Sequence, residues 1–165
     1  MDRNIPFAQQ NDITVVIAAG NDGASSFLDQ TSPQNLGTSD NALITVGGLE
    51  KDGSLYTDTT PDRGNGGSIS IYAPGRDVTA ASKDSDDGTT PTTGTSVAAP
   101  AIAGMAAYFF SIPQLDRNWP EGSVAEAMKQ FFALSARVQR NDNPVPGGLP
   151  YDGPSAGSVV CACKF

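Results

Sequence analysis

Histidine is absent from this 165-residue chain. That removes the side chain most used as a general base near neutral pH. Cysteine is almost absent too, with only Cys161 and Cys163. One residue between them makes a mutual disulfide geometrically awkward. No second pair exists to complete a zinc tetrad, so neither metal nor redox chemistry is read from them. Basic residues are scarce, ten against eighteen acids, for a net charge of −8. A nucleic-acid surface needs clustered Lys and Arg, so this balance argues against one and suits a soluble protein. No run of about eighteen apolar residues occurs, so no membrane-spanning helix is predicted. Met1-Asp2-Arg3-Asn4 leads into no hydrophobic core of the signal-peptide kind.

What remains fits one compact domain. A chain of this length buries roughly 70% of the surface that its unfolded form exposes. Hydrophobic residues make up 38% and charged residues 17%, while 18 glycines and 12 prolines imply many loops and tight turns. The segment Ile13-Thr14-Val15-Val16-Ile17-Ala18-Ala19 is β-branched and apolar on both faces, as parallel strands covered on both sides are. Ala42-Leu43-Ile44-Thr45-Val46 repeats the pattern, Ser68-Ile69-Ser70-Ile71-Tyr72 does so more weakly, and Asp77-Val78-Thr79-Ala80-Ala81 predicts a short fourth strand. Lys51-Asp52-Gly53 and Asp84-Ser85-Asp86-Asp87-Gly88 read as turns.

From Ser96 the pattern changes. Val97 to Phe110 is apolar almost all round, which predicts a helix buried in a core, with Pro100 about one turn in. Ser123-Val124-Ala125-Glu126 has the form of a capping box. The helix that it opens would carry Val124, Ala127, Met128, Phe131, Phe132, Ser135 and Val138 on one face. Residues 141–154 read as loop, and the tail from Val159 to Phe165 has no evident partner. Strands early and helices late give an α/β class, with no internal repeat and no second domain.

Ser96 stands out chemically. It lies between a Thr/Gly/Pro loop and a helix start, where free N–H groups favour a developing oxyanion. A lone serine there is more often an N-cap. The surrounding residues decide between the two. Gly94-Thr95-Ser96-Val97-Ala98-Ala99-Pro100 resembles the nucleophile signature of the subtilisin-like serine proteases. Ala18-Ala19-Gly20-Asn21 resembles the segment that supplies their oxyanion-hole asparagine, a side chain that donates without bearing charge. Ala42 to Gly48 and Ala73-Pro74-Gly75 resemble two further family segments in the same order.

The resemblance covers about residues 5 to 138. It implies a three-layer α/β fold with a mostly parallel sheet, in which residues 1–140 are the C-terminal portion of a peptidase domain and 141–165 a loop-rich tail. It implies Ser96 as nucleophile and Asn21 as oxyanion donor, acting on a polypeptide. Ala18, Ala19, Gly20, Gly94 and Thr95 would contact the substrate. Extracellular action is implied by the family alone.

The family's triad runs Asp, His, Ser along the chain. Here no histidine exists, and Asp2 and Asp12 lie too close to Asn21 for the triad aspartate. The chain alone is therefore expected to be an inactive fragment, prone to aggregate, that needs the other half of the domain. A catalytically dead peptide-binding module is the alternative. No cofactor is expected. The family often uses structural calcium, for which Asp84, Asp86 and Asp87 are the candidate ligands, and three solvated acids is the plainer reading of them.

Overall fold

A computed structural model describes residues 4–112, 122–135 and 158–159. Short helix α1 (Asn4–Gln10) leads into strand β1 (Val16–Ala18), then β2 (Ile44–Leu49) and β3 (Ile71–Pro74). A hairpin of β4 (Val78–Ala81) and β5 (Thr89–Thr92) precedes helix α2 (Thr95–Ser111) and helix α3 (Val124–Ser135), and β6 (Ser158–Val159) comes last. The main sheet has the order β1-β2-β3-β6 and is parallel throughout. In it Val16 pairs with Ile44 and Val46 with Ile71.

The predicted α/β class holds, and the continuous apolar runs are the reason. All six residues of β2 are buried, as a central parallel strand requires. Ile44, Val46, Ile71 and Ala73 pack against Ala98, Ala99, Ile102 and Ala106 of α2 and Met128 and Phe132 of α3. Phe109 meets the Phe131 ring edge-on at 4.8 Å, joining the two helices. On the opposite face Ala19, Leu28 and Ile69 form a smaller cluster beneath single-turn 3₁₀ segments at 23–25, 28–30 and 34–36.

Several expectations shift. β1 is shorter than the Ile13–Ala19 run, and β2 and β3 extend past the predicted ends into Leu49 and Pro74. The fourth strand forms, but it pairs antiparallel with β5, inside the stretch read as loop. The turn Asp84–Gly88 is the tip of that hairpin; all three of its acids are exposed, and Asp84 pairs with Lys83 at 3.2 Å. Among the described residues no group of three or more acids, histidines or cysteines has metal-binding geometry.

The helix after Ser96 is not buried all round. Its inner side is in the core, while Ala101, Ala103, Gly104, Ala107, Tyr108 (64% exposed) and Phe110 (40%) face outward. Pro100 is its sixth residue, past the positions whose N–H groups are free, so it has no N–H to give the Ser96 carbonyl. α3 begins where the sequence predicted, with Ala125 buried beside Met128 and Phe132. Glu126 accepts from Gln130 at 3.2 Å, and the N–H groups of Gly122 and Val124 go to the Asp12 carboxylate at 3.0 and 2.9 Å. Asp12 is thus a helix cap reaching across the chain. Within the tail, Ser158–Val159 lies beside Ile71–Tyr72 and so has a partner. Val138 and the thiols Cys161 and Cys163 lie outside the described residues.

Candidate active site

The chain leaves the sheet at the end of β1. Ala19 N–H still donates to Val46 O at 2.9 Å, and Gly20 then turns the backbone with φ +109°. That conformation favours glycine, and space demands it too, since a Cβ here would lie 2.6 Å from Thr60 Oγ1. The turn delivers Asn21 to the surface. Ala18 packs toward the α2 core, whereas Ala19 is buried with Leu28 and Ile69.

The segment before Ser96 is tied to the sheet in two steps. Gly75 N–H donates to Leu49 O at 3.0 Å, and Gly94 N–H donates to Gly75 O at 2.7 Å. Gly94 has φ +139°, and a Cβ on it would stand 3.0 Å from Asn21 Nδ2. Helix α2 starts immediately afterwards. Ser96 is its second residue and is exposed, so its hydroxyl sits at the amino end of a seventeen-residue helix. The positive end of the helix dipole lies at that position, where Val97 N–H donates to Gly94 O at 3.2 Å.

Thr95 joins the two segments. Its backbone N–H donates to Asn21 Oδ1 at 2.7 Å. Its Oγ1 accepts from Gly20 N–H at 3.0 Å and lies 3.2 Å from both Gly20 O and Asn21 Oδ1, to either of which it can donate. Thr95 is fully buried, so water does not compete for these bonds. The chemistry also fixes the sense of the carboxamide. Only its oxygen can accept from Thr95 N–H, so the NH2 half is left to donate elsewhere. Asn21, Gly94 and Thr95 thus meet at one place, with Ser96 next in the chain, although 74 residues separate Asn21 from Thr95.

A base for Ser96 is not found among the described residues. Lysine can play that part in some serine hydrolases, but each described cation is engaged elsewhere. Lys51 pairs with Asp77, Arg63 with Asp29, Arg76 with Glu50 and Lys83 with Asp84. Lys129 Nζ donates to Thr38 O and Asn41 O. Burial draws its pKa down, with the charges of Glu126 and Asp40 opposing.

Three contributors escaped the sequence analysis. Thr60 is fully buried against Gly20. Gln34 Nε2 donates to Ala18 O at 3.0 Å. Gly75 holds the loop that bears the serine. Only Gly75 had a signal, the Ala-Pro-Gly turn. Thr60 and Gln34 sit in turn-rich stretches where nothing in the local pattern singles them out.

A sequence model described as the subtilase family matches residues 1–146. The chain is similar to an alkaline extracellular protease of Yarrowia lipolytica, 40% identical over 106 residues, which is 64% of this chain and 23% of that protein. It is 34% identical over 140 residues to a subtilisin-like protease of Coccidioides posadasii, covering 84% of this chain and 32% of the relative. The chain thus spans about a quarter to a third of these relatives. Among solved structures it resembles the self-cleaved protease domain of PatA (TM-score 0.62, 25% identity, 82% of this chain and 46% of that one). Sphericase is similar in fold alone (TM-score 0.60, 21% identity, 81% and 43%).

Proposed function

The chain belongs to the subtilase family, and from that premise we propose that it carries the nucleophile and oxyanion donor of a serine endopeptidase whose base lies outside these 165 residues. Ser96 Oγ would attack a peptide carbonyl carbon, and the carbonyl oxygen would take up negative charge. Asn21 Nδ2 and the Ser96 backbone N–H would donate to it, more strongly as the charge develops. The serine proton would pass to an imidazole, held by an aspartate, and then to the leaving amine. The observation that carries this reading is the hydrogen bond from Thr95 N–H to Asn21 Oδ1, which commits the carboxamide oxygen to the residue before the serine and turns the NH2 half to other acceptors.

Two observations support an outside contribution. The chain has no histidine. The outer side of α2, which starts at the serine, exposes Ala, Gly and aromatic residues, and β1 has one edge with no strand beside it among the described residues. An apolar face and an open edge next to the nucleophile suit the docking of further sheet and helix. The substrate is a polypeptide on this reading, with extracellular action as in the Yarrowia relative's name.

Restored turnover separates this from the alternative of a dead binding module, and the magnitude says what the chain alone should do. In a subtilisin, loss of the histidine costs about 10⁶ in turnover and leaves about 10³–10⁴ over water. The purified chain should therefore show no sustained hydrolysis of a peptide ester or amide. Mixing it with the peptidase segment that bears the Asp and His should restore turnover, and Ser96→Ala should abolish it. Sustained, Ser96-dependent hydrolysis by the chain alone would refute the outside base. Peptide binding with no turnover in the mixture would favour the dead binding module.

A further inference from the structure

We infer that Thr60 is a positioning residue for Asn21, fixing its backbone torsions while Thr95 fixes its carboxamide. The inference rests on Asn21 being the oxyanion donor. Thr60 N–H donates to Gly20 O at 3.1 Å, and Thr60 Oγ1 accepts from Asp22 N–H at 3.2 Å. Gly20 C=O belongs to the peptide plane before the Asn21 Cα, and Asp22 N–H to the plane after it. One residue therefore holds both planes that flank Asn21, and two fixed planes determine its φ and ψ and so the direction of its Cα–Cβ bond. Thr95 works on the other end of the side chain, through Oδ1.

The surroundings make Thr60 a firm anchor. It is fully buried. The neighbouring Thr59 Oγ1 accepts from Gly48 N–H at 3.0 Å, and Tyr56 N–H donates to Gly48 O at 3.0 Å, so the segment hangs from the end of β2. Gly23 N–H donates to Asp58 O at 2.8 Å, extending the same clamp beyond Asn21. Without the Thr60 hydroxyl, the plane after Asn21 loses its acceptor. Asn21 is then held only through the plane before it, where Thr60 N–H still donates to Gly20 O. A donor displaced by a fraction of an ångström loses much of its hold on an oxyanion.

A carboxylate oxygen can stand in for the oxyanion. The test measures binding of one hexapeptide ending in leucine to the 165-residue chain, as a free carboxylate and as the carboxamide. The wild-type chain should prefer the carboxylate by about tenfold, the scale of one charge-assisted hydrogen bond. Asn21→Ala should erase the preference. Thr60→Val, which keeps the shape and removes the acceptor, should bring it to within about twofold of unity. Thr60→Ser should restore it. Asp12→Ala, which removes a distant helix cap, should lower stability and leave the preference intact.

If Asn21→Ala erases the preference and Thr60→Val does not, the inference fails and the site reading stands. If the wild type binds both peptides equally, or binds neither even when mixed with the peptidase segment that bears the Asp and His, the site reading fails and takes the inference with it. Should Thr60→Val not fold, hydrogen exchange on the wild type decides. Asp22 N–H should exchange at least about a hundredfold more slowly than in an unstructured peptide, and unprotected exchange overturns the inference.

Discussion

The backbone N–H of Thr95 donates to Asn21 Oδ1 at 2.7 Å, so the first residue of α2 orients the side chain at the end of β1. The hydroxyl of the same threonine bonds Gly20, which makes Thr95 the pin between helix and strand end. Thr95→Val keeps the backbone donor and removes the hydroxyl. It leaves Gly20 N–H without its acceptor in a part-buried place, so a loss of about 1–3 kcal/mol is expected in urea denaturation. Thr95→Ser should stay within about 1 kcal/mol of wild type.

Gly94 is irreplaceable for two reasons that act together. Its φ of +139° is one that side chains rarely adopt, and an added Cβ would press on both Asn21 Oδ1 (3.1 Å) and Nδ2 (3.0 Å). Gly94→Ala should cost on the order of 1–3 kcal/mol in denaturation. It should also shift the side-chain amide resonances of Asn21 in a nitrogen–proton spectrum. Unchanged resonances would show that the two residues do not touch.

Asp12 ties the start of the chain to α3 through two N–H groups. Asp12→Ala should lower stability by about 1–2 kcal/mol. The amide protons of Gly122 and Val124 should then exchange faster, while those of β2 stay protected.

Tyr56 gives an alkaline dependence. Burial raises the pKa of its phenol above the ordinary value, helped by the Asp58 carboxylate that accepts its hydroxyl at 2.9 Å. The folded chain therefore holds this proton more tightly than the unfolded chain. The resulting stability is complete below the ordinary phenol pKa of about 10 and is lost as pH rises through the raised folded value. Denaturation midpoints across this range should fall more steeply for wild type than for Tyr56→Phe. Equal slopes would count against the assignment.

Much of this was legible in the chain. Continuous apolar runs around Val16, Ile44 and Ile71 implied parallel strands covered on both faces, because such strands have no solvent side to mark with polar residues. The glycines at 20 and 94 and the small residues after Ser96 identified the family segments, because close approach of backbones allows nothing larger. The ends of strands were less legible. β2 runs on through Gly47 and Gly48, where an added Cβ would meet Tyr72 and Tyr56, so neighbours decide the extent of that strand. The apolar helix after Ser96 read as fully enclosed because periodicity reports hydrophobicity and not what covers it.

By itself the sequence determined the class of fold, the family, and the absence of an internal histidine, since these follow from composition and from short motifs. Tertiary structure alone decided how Asn21 is held. Thr60 and Thr95 lie 38 and 74 residues away from the groups they bind, and no local pattern encodes such distances. Hydrogen bonds that set a side chain's direction depend on tenths of an ångström between separate segments, and only the packed chain brings those segments together.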